Sequence, residues 1–388
     1  MLNSREAAGR RTPNIFALAL LAITLLGALY LALALARVVA FARQTTTYVD
    51  DEFAPSITIL KPIAGLEPEL YEDLASFCKQ SYPDFDVVFC LHEASDPALP
   101  IVERVCNDFP RVRTRIAIGH NDAMANPKIA NLAKTGAEPQ GEVVVIADSD
   151  IRVDPGYLRA LAADFATDRI GAVTCLYRGR CSTNIVAQLG AMHVEEEFAP
   201  SVLVALALGP LHFCLGATMA VRRSVLDAIG GLAALGPYLA DDHALGELVA
   251  KHGRDVALSR YVVSTDIPET TLGELWSHEL RWGRTKRAQA PAGYFFSFLM
   301  YALPFAVCYA AAAQTLASLA LLGTVVALRL SVHAAARRAL GVTRASDWWL
   351  VPLRDALSLA IWVASLFGRS VRWRTLGARV SPTGHLQI

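Results

Sequence analysis

Charge is scarce in this chain and neither sign prevails. Only 19% of its 388 residues are Asp, Glu, Lys or Arg, divided into 36 basic and 36 acidic. A soluble domain carries about 25%, and the mean hydropathy is +0.36, so the composition leans toward a membrane. Zero net charge removes the global positive field on which nucleic-acid binding relies. The seven cysteines (Cys78, Cys90, Cys106, Cys175, Cys181, Cys214 and Cys308) contain no C-x-x-C pair, and the closest two, Cys175 and Cys181, do not have a zinc spacing. An odd, scattered set argues against a disulfide framework and for reduced, mostly buried thiols in a cytosol-facing domain. Tandem repeats and low-complexity tracts are also missing, which leaves one large domain or two ordinary ones.

What is present falls into three parts. Ile15 to Ala36 is free of charge and rich in Leu and Ala. It is long enough to cross a hydrocarbon core of about 30 Å. A signal peptide would have a shorter apolar core of about 7–15 residues, so the run reads as a retained anchor. Arg5, Arg10 and Arg11 precede it and Arg37 and Arg43 follow it, so flanking charge leaves the orientation open. Between 53 and 290, short apolar strands alternate with helical stretches. The pattern predicts strands at Ile57–Leu60 (ended by Lys61-Pro62), Asp86–Leu91, Arg113–Gly119 and Glu142–Ala147. It predicts helices at Pro68–Lys79, Pro97–Phe109 and from Asn126 to Lys134. This alternation implies a mostly parallel sheet covered by helices, with ligands beyond the strands' carboxyl ends. Asp96 and Asp148 are expected at that edge.

From Tyr294 to Leu328 there are 35 residues without a charge, suited to two short spans with a tight turn or to one strongly tilted helix. Trp348 to Phe367 holds Arg354 and Asp355, and reads either as a third span with an internal ion pair or as an interfacial helix. Arg337, Arg338 and Arg344, and the tail residues Arg369, Arg372, Arg374 and Arg379, favour a cytosolic side. Phe198 to Ala220 has His212 as its one ionisable residue, and reads either as buried core or as a membrane-dipping element.

Several stretches carry chemistry. The segment VVVIADSDIRV ends a strand in Asp148 and Asp150. Residues i and i+2 of an extended chain point the same way, and two close carboxylates are tolerated when a divalent cation neutralises them. Mg²⁺ or Mn²⁺ suits such oxygen ligands; a solvated turn is the plainer alternative. In Leu239-Ala240-Asp241-Asp242-His243, two acids open a helix, either as helix-start residues favoured by the dipole or as a general base for an acceptor hydroxyl. Within His278 to Arg287, Arg281 and Arg284 share a helical face with His278. That stretch is either a phosphate-facing membrane flank or a cationic clamp on a leaving diphosphate, with Trp282 as a wall. Asn126-Pro127-Lys128-Ile129-Ala130-Asn131-Leu132 offers a cation and amides at a helix start or a plain Asn cap. Glu195-Glu196-Glu197 reads as a solvated helix face.

Taken in order, LKP, LHEASDPA, NPKIANL, IADSDIRV, LADDHALG and HELRWGR resemble the family-2/family-21 nucleotide-sugar glycosyltransferases. The likeness is greatest to ceramide glucosyltransferases and their bacterial relatives, including the hopanoid-pathway glycosyltransferases, and runs from about residue 13 to 375. It implies an α/β GT-A (Rossmann-like, nucleotide-sugar-binding) catalytic domain flanked by transmembrane helices. By motif match, Asp96 falls near the uridine, Lys128 and Asn131 near the nucleotide, and Asp148 at the diphosphate and metal. Asp242 matches the catalytic base, and Arg281 and Trp282 the Arg-Trp pair of the last motif. Two departures stand out: His278 replaces Gln or Arg, and D-S-D replaces the D-S-G usual in ceramide glucosyltransferases.

The organisation expected is a tail (1–12), an anchor (13–40), a GT-A domain (53–290) and a C-terminal membrane region (291–388). The activity expected is inverting, metal-dependent transfer from a UDP-sugar to a membrane lipid hydroxyl, ceramide or hopanoid, at a bacterial inner membrane with the site facing the cytoplasm. The alternatives are a hopanoid-specific N-acetylglucosaminyltransferase, a processive polysaccharide synthase and a non-catalytic scaffold. Partners are a UDP-sugar, a lipid acceptor and the bilayer, with no nucleic acid.

Overall fold

The structure is a computed structural model; it describes residues 15–44, 53–121, 124–133 and 138–368, and the backbone of short strands as far as 387. The tail at 1–12, Lys134 and the side chains of the tail arginines lie outside the described residues.

Strands β1 (Ile57–Ile63), β2 (Phe85–Leu91), β3 (Arg113–Ile118) and β4 (Val143–Ile146) alternate with helices α2 (Leu70–Cys78), α3 (Leu99–Asp108) and α4 (Pro127–Leu132), after the long N-terminal helix α1 (Ile15–Arg43). The alternation of strand side chains sends each residue set to one face. Ile57, Ile59, Val87, Phe89, Val143 and Val145 pack with Leu74, Phe77 and Val102 of α2 and α3. Leu60, Val88, Cys90, Val144 and Ile146 pack on the other face with Ile129 and Leu132 of α4. Both faces are covered, which is why these strands read as unbroken apolar runs.

Beyond β4 come β5 (Ile151–Arg152), α5 (Tyr157–Asp164), β6 (Ile170–Arg180), α6 (Ile185–Met192), a π-helical turn (His193–Phe198), α7 (Ala199–Leu208), β7 (Met219–Arg222), α8 (Arg223–Ala228), α9 (Asp241–Lys251), β8 (Asp255–Asp266) and α10 (Leu272–Gln289). The sheet order is β3-β2-β1-β4-β7-β6-β8-β5. The expected parallel pairing holds for β3, β2, β1 and β4. It gives way beyond Asp148, where β7 runs antiparallel to β4 and β6, and β5 antiparallel to β8. A second correction concerns β1, which does not stop at Lys61-Pro62 but pairs through Ile63. Lys61 is tolerated inside because its ammonium donates to the Asp148 carbonyl and sits 3.9 Å over the Phe77 ring.

The apolar helices gather at one end. Among the described residues, two are long and apolar enough to cross a membrane, α1 and α13 (Leu316–Ala339). A bent pair, α11 (Pro291–Phe296) with its 3₁₀ extension to Met300 and α12 (Ala302–Ala313), makes a third if counted as one span, with a 56° bend. Of the two readings of 294–328, the pair of helices with a tight turn is the one found. The chain reverses at Gln314 (φ 48°), and Thr315 and Ser318 cap α13 reciprocally. The α1 side chains buried at helical spacing (Thr24, Gly27, Leu31, Ala34, Val38 and Phe41) form its docking stripe. A Cβ on Gly27 would stand 2.7 Å from Ala302 Cβ, so only glycine allows α12 this close. Further along, Val38 and Phe41 leave the bundle and pack with Leu176, Ala199 and Leu203. Thus α7 seals the junction and is buried along Val202–Val204, while Leu208 and His212 are exposed.

α14 (Val351–Ser365) is too short to cross alone. Its Arg354 and Asp355 are buried but do not pair with each other, because adjacent helical residues diverge. Arg354 holds Glu279 (2.7 and 2.8 Å) and Glu197 (3.2 Å), whereas Asp355 holds Arg329 of α13 (2.9 Å). The solvated reading of Glu195-Glu196-Glu197 is likewise overturned. All three are buried: Glu195 takes Arg344 in a two-point pair at 2.6 and 2.7 Å, Glu196 takes Arg329 (2.9 Å) and His333 (2.7 Å), and Glu197 takes Arg354. Three consecutive helical residues point around roughly half the circumference, so this turn meets protein on several sides. Glu196, His333 and Asp347 are close enough to hold a cation, but Arg329 and Arg337 already neutralise the two carboxylates.

Candidate active site

The parallel strands deliver the site. Asp148 follows β4 directly, and Lys61 of the neighbouring β1 reaches its carbonyl from below. The two acids one residue apart, Asp148 and Asp150, are balanced first by lysines. Lys61 is fully buried within the field of Asp150 and Asp148, and burial pulls its ammonium down to about 8 against those two charges. Lys128 Nζ lies 2.7 Å from Asp148 Oδ1 and 3.0 Å from Asp241 Oδ2. Burial opposes its charge, yet the two carboxylates outweigh burial and hold its pKa above the ordinary value.

Asn126 explains how Lys128 arrives there. Its side-chain oxygen accepts from the N–H groups of Lys128 (2.9 Å) and Ile129 (3.2 Å), capping α4, and its amide donates to the Tyr238 carbonyl at 2.9 Å. The plain Asn cap of the sequence reading is therefore present, and it ties α4 to the segment that opens α9.

Asp150 is distinct from Asp148. Its Oδ2 accepts from Thr265 of β8 at 2.8 Å, and burial, reinforced by Asp148, pushes its carboxyl up to about 6. Asp148 keeps a side chain 40% exposed. Across from it stands Asp242, the second residue of α9. A Cβ on Gly216 would meet Asp148 Oδ2 at 3.4 Å and Asp242 Oδ2 at 3.5 Å, so the two carboxylates flank one glycine-lined gap. Burial, followed by the adjacent charge of Asp241, pushes Asp242 up to about 7. Asp241 itself is buried against Lys128 and Asn126, so the two acids of the LADDH stretch divide into a positioning acid and an acid poised near neutrality.

Residues of α10 close the far side. Thr271 and Glu274 form a capping box that fixes where this helix starts. Arg281 feels the charges of Glu269 and Asp148, and burial lowers its pKa. Trp282 stacks on His193 (5.8 Å between centroids) and leans on His278 (4.2 Å), which itself contacts Glu269. Arg284, expected on the same face as Arg281, donates to the Phe367 carbonyl at 3.2 Å.

Asp96 sits after β2 as expected, but both its oxygens accept backbone N–H groups, Gly65 at 3.0 and 3.1 Å and Ala98 at 2.9 Å. It pins the loop after β1, where Gly65 takes φ +72°. Asn131 faces His92 Nδ1 at 3.3 Å. Of the expected site residues, the structure brings Lys128, Asp148, Asp150, Asp242 and Arg281 into one electrostatic group. Sequence reasoning missed Lys61, Gly216 and Tyr177. The last is half-buried within the fields of Asp242, Asp148 and Asp150 and packs on Phe198 at 5.1 Å. Lys61 falls in the LKP motif, which gives it no role, and no motif marks Gly216 or Tyr177; their surroundings depend on neighbours distant in sequence.

An open carboxylate beside a glycine-lined gap fits a hard divalent cation, and Asp148 is the residue placed to hold one. Asp150, tied to Thr265, is the less available ligand.

Comparison with known proteins agrees with this architecture. A solved mannosyltransferase from Pyrobaculum calidifontis, in complex with GDP-Man and Mn²⁺, superposes with a TM-score of 0.56 at 20% identity, covering 91% of this chain and 98% of that one. The catalytic fold is GT-A. Ceramide glucosyltransferase 1 of Caenorhabditis elegans is 25% identical over 62% of this chain and 52% of its own length. The ceramide glucosyltransferase of Gibberella zeae is 33% identical over 32% of this chain and 26% of its own. The chain thus spans about half, or less, of the curated relatives it matches. The family model for glycosyl transferase family 21 matches residues 19–386, nearly the whole sequence, and the chain belongs to that family of glycosyltransferases.

Proposed function

We propose that this membrane-associated glycosyltransferase moves a sugar from a UDP-sugar to a hydroxyl of a membrane lipid of the ceramide class, with inversion, on the cytoplasmic side of a bacterial inner membrane. The observation that carries the reading is the pair of carboxylates across Gly216. Asp242, pushed up to about 7, has the proton affinity of a base that works at neutral pH. It takes the proton from the acceptor hydroxyl as that oxygen attacks the anomeric carbon. Asp148 faces the donor from the opposite side of the gap, and Arg281, within its field, balances charge on the departing diphosphate. A divalent cation bound at Asp148 would supply the neutralisation of that diphosphate. Asp96 holds the loops that wall the nucleotide, and Trp282 shapes the acceptor side. The names of the ceramide glucosyltransferase relatives support the acceptor class.

The test is UDP release from UDP-sugar in the presence of lipid. Asp242→Asn should lower turnover about 10²- to 10⁴-fold, the usual share of general-base catalysis, while UDP-sugar binding persists. Unchanged turnover would remove Asp242 as the base. The D-S-D sequence at 148–150 favours a second reading, a hopanoid acceptor with an N-acetylglucosamine donor. Mass analysis of the lipid product separates the two.

A further inference from the structure

We propose that Tyr30 of the N-terminal helix and His193 of the π-helical turn form a seat for the polar head of the acceptor. The seat takes a hydroxyl or amide group other than the hydroxyl being glycosylated, so α1 is part of the substrate site as well as an anchor. This rests on the lipid-acceptor reading above.

Two orphaned atoms motivate it. Among the described residues, the Tyr30 hydroxyl and His193 Nε2 are both buried without a hydrogen-bond partner. Each such group costs roughly 1–3 kcal/mol unless something satisfies it, and neither can reach water in place. Both gather about Glu197. Its carboxylate lies 3.0 Å from His193 Nδ1, and Tyr30 lies within its electrostatic reach. Glu197 is itself held by Arg354 and Ser358 of α14, so its orientation is fixed from behind.

That arrangement sets the chemistry of the ligand. With Nδ1 engaged by Glu197, Nε2 is the ring nitrogen left for a ligand. It calls for a hydroxyl or amide, groups that can both donate and accept. The Tyr30 hydroxyl can then donate or accept beside it. A lipid head with one polar group besides the reacting hydroxyl satisfies both atoms; a simple long-chain alcohol does not.

The location is consistent with an acceptor. His193 stacks on Trp282, whose neighbour Arg281 lies within the field of Asp148. Tyr177, within the field of Asp242, packs on Phe198 at the other end of the same π-turn. Tyr30 lies about one turn past Gly27, where a Cβ would stand 2.7 Å from Ala302 Cβ, within the apolar length of α1. A lipid between them would have its tail along the bundle and its head toward the gap.

The experiment uses the full chain in phosphatidylcholine nanodiscs with a short-chain ceramide as acceptor. Tyr30→Phe removes one oxygen, and His193→Phe keeps a ring against Trp282. Each should raise the acceptor KM about 5- to 100-fold, the range of one lost buried hydrogen bond. Donor KM and lipid-independent UDP release should stay at wild-type values, and a long-chain alcohol acceptor should be used equally by all three proteins. Unchanged acceptor KM in both variants, or donor and acceptor KM rising together, overturns the seat. A wild-type protein that glycosylates no lipid at all overturns the acceptor reading itself, and the seat with it.

Discussion

At the scale of residues, the site is a problem of charge placed in low dielectric. Asp148, Asp150, Asp241 and Asp242 crowd together, and Lys61 and Lys128 keep the cluster tolerable. The two members of the D-S-D stretch therefore should not respond alike. Asp148→Asn should abolish the dependence of activity on added Mg²⁺ or Mn²⁺ along with activity itself. Asp150→Asn, at a carboxylate already bonded to Thr265, should retain metal dependence with a smaller loss, measured by titrating metal against UDP release. A pH effect follows with a definite sign. Burial, then Asp241, raises Asp242 to about 7, and only its ionised form is a base. Activity should fall as pH drops through about 7 and level off above it. Neutralising Asp241 as Asn removes one of the charges that raise Asp242, so the falling limb should move to lower pH; a limb that stays put would dissociate it from this pair.

Elements set which charges meet. The acids at 195–197 lie on one π-helical turn, and their arginines lie on α13, α14 and the loop between them. Removing one partner of such a buried pair leaves the other charge stranded, which costs about 3–5 kcal/mol. Arg354→Met strands Glu197 and Glu279 together. It should lower thermal stability sharply in detergent, whereas a substitution at exposed Arg104, whose pair with Asp108 is open to water, should change it by less than about 1 kcal/mol. These contacts also show why the sequence misled at this place. A run of three acids reads as solvated because isolated charges are not buried. Its arginine partners begin 133 residues further on, and nothing local announces them.

For the whole molecule, the membrane helices and the catalytic sheet are one packed body. Val38 and Phe41 of α1 join Leu176 of β6 and Ala336 of α13 in one cluster. Arg260 of β8 donates to the Phe41 carbonyl and stacks on its ring at 4.7 Å. Truncation up to residue 44 should consequently yield an unstable, inactive protein rather than a soluble catalytic domain. Size-exclusion behaviour and UDP release after truncation check this, and a monodisperse, active fragment would show that α1 serves as an anchor only.

The sequence by itself determined the parts governed by near neighbours. Apolar runs fixed β1 to β4, the helices between them and the membrane segments, because alternation and helical spacing are local properties. Motif order singled out Lys128, Asp148, Asp242 and Arg281, which the fold brings into one electrostatic group. Tertiary structure alone decided how the second half of the sheet pairs. It decided that Asp241 positions while Asp242 is poised to titrate, and that Gly216 opens the gap between the two working carboxylates. It also drew the three glutamates inward. Those outcomes depend on burial and on charges brought together from distant parts of the chain, and a carboxylate's character is set by what surrounds it after folding.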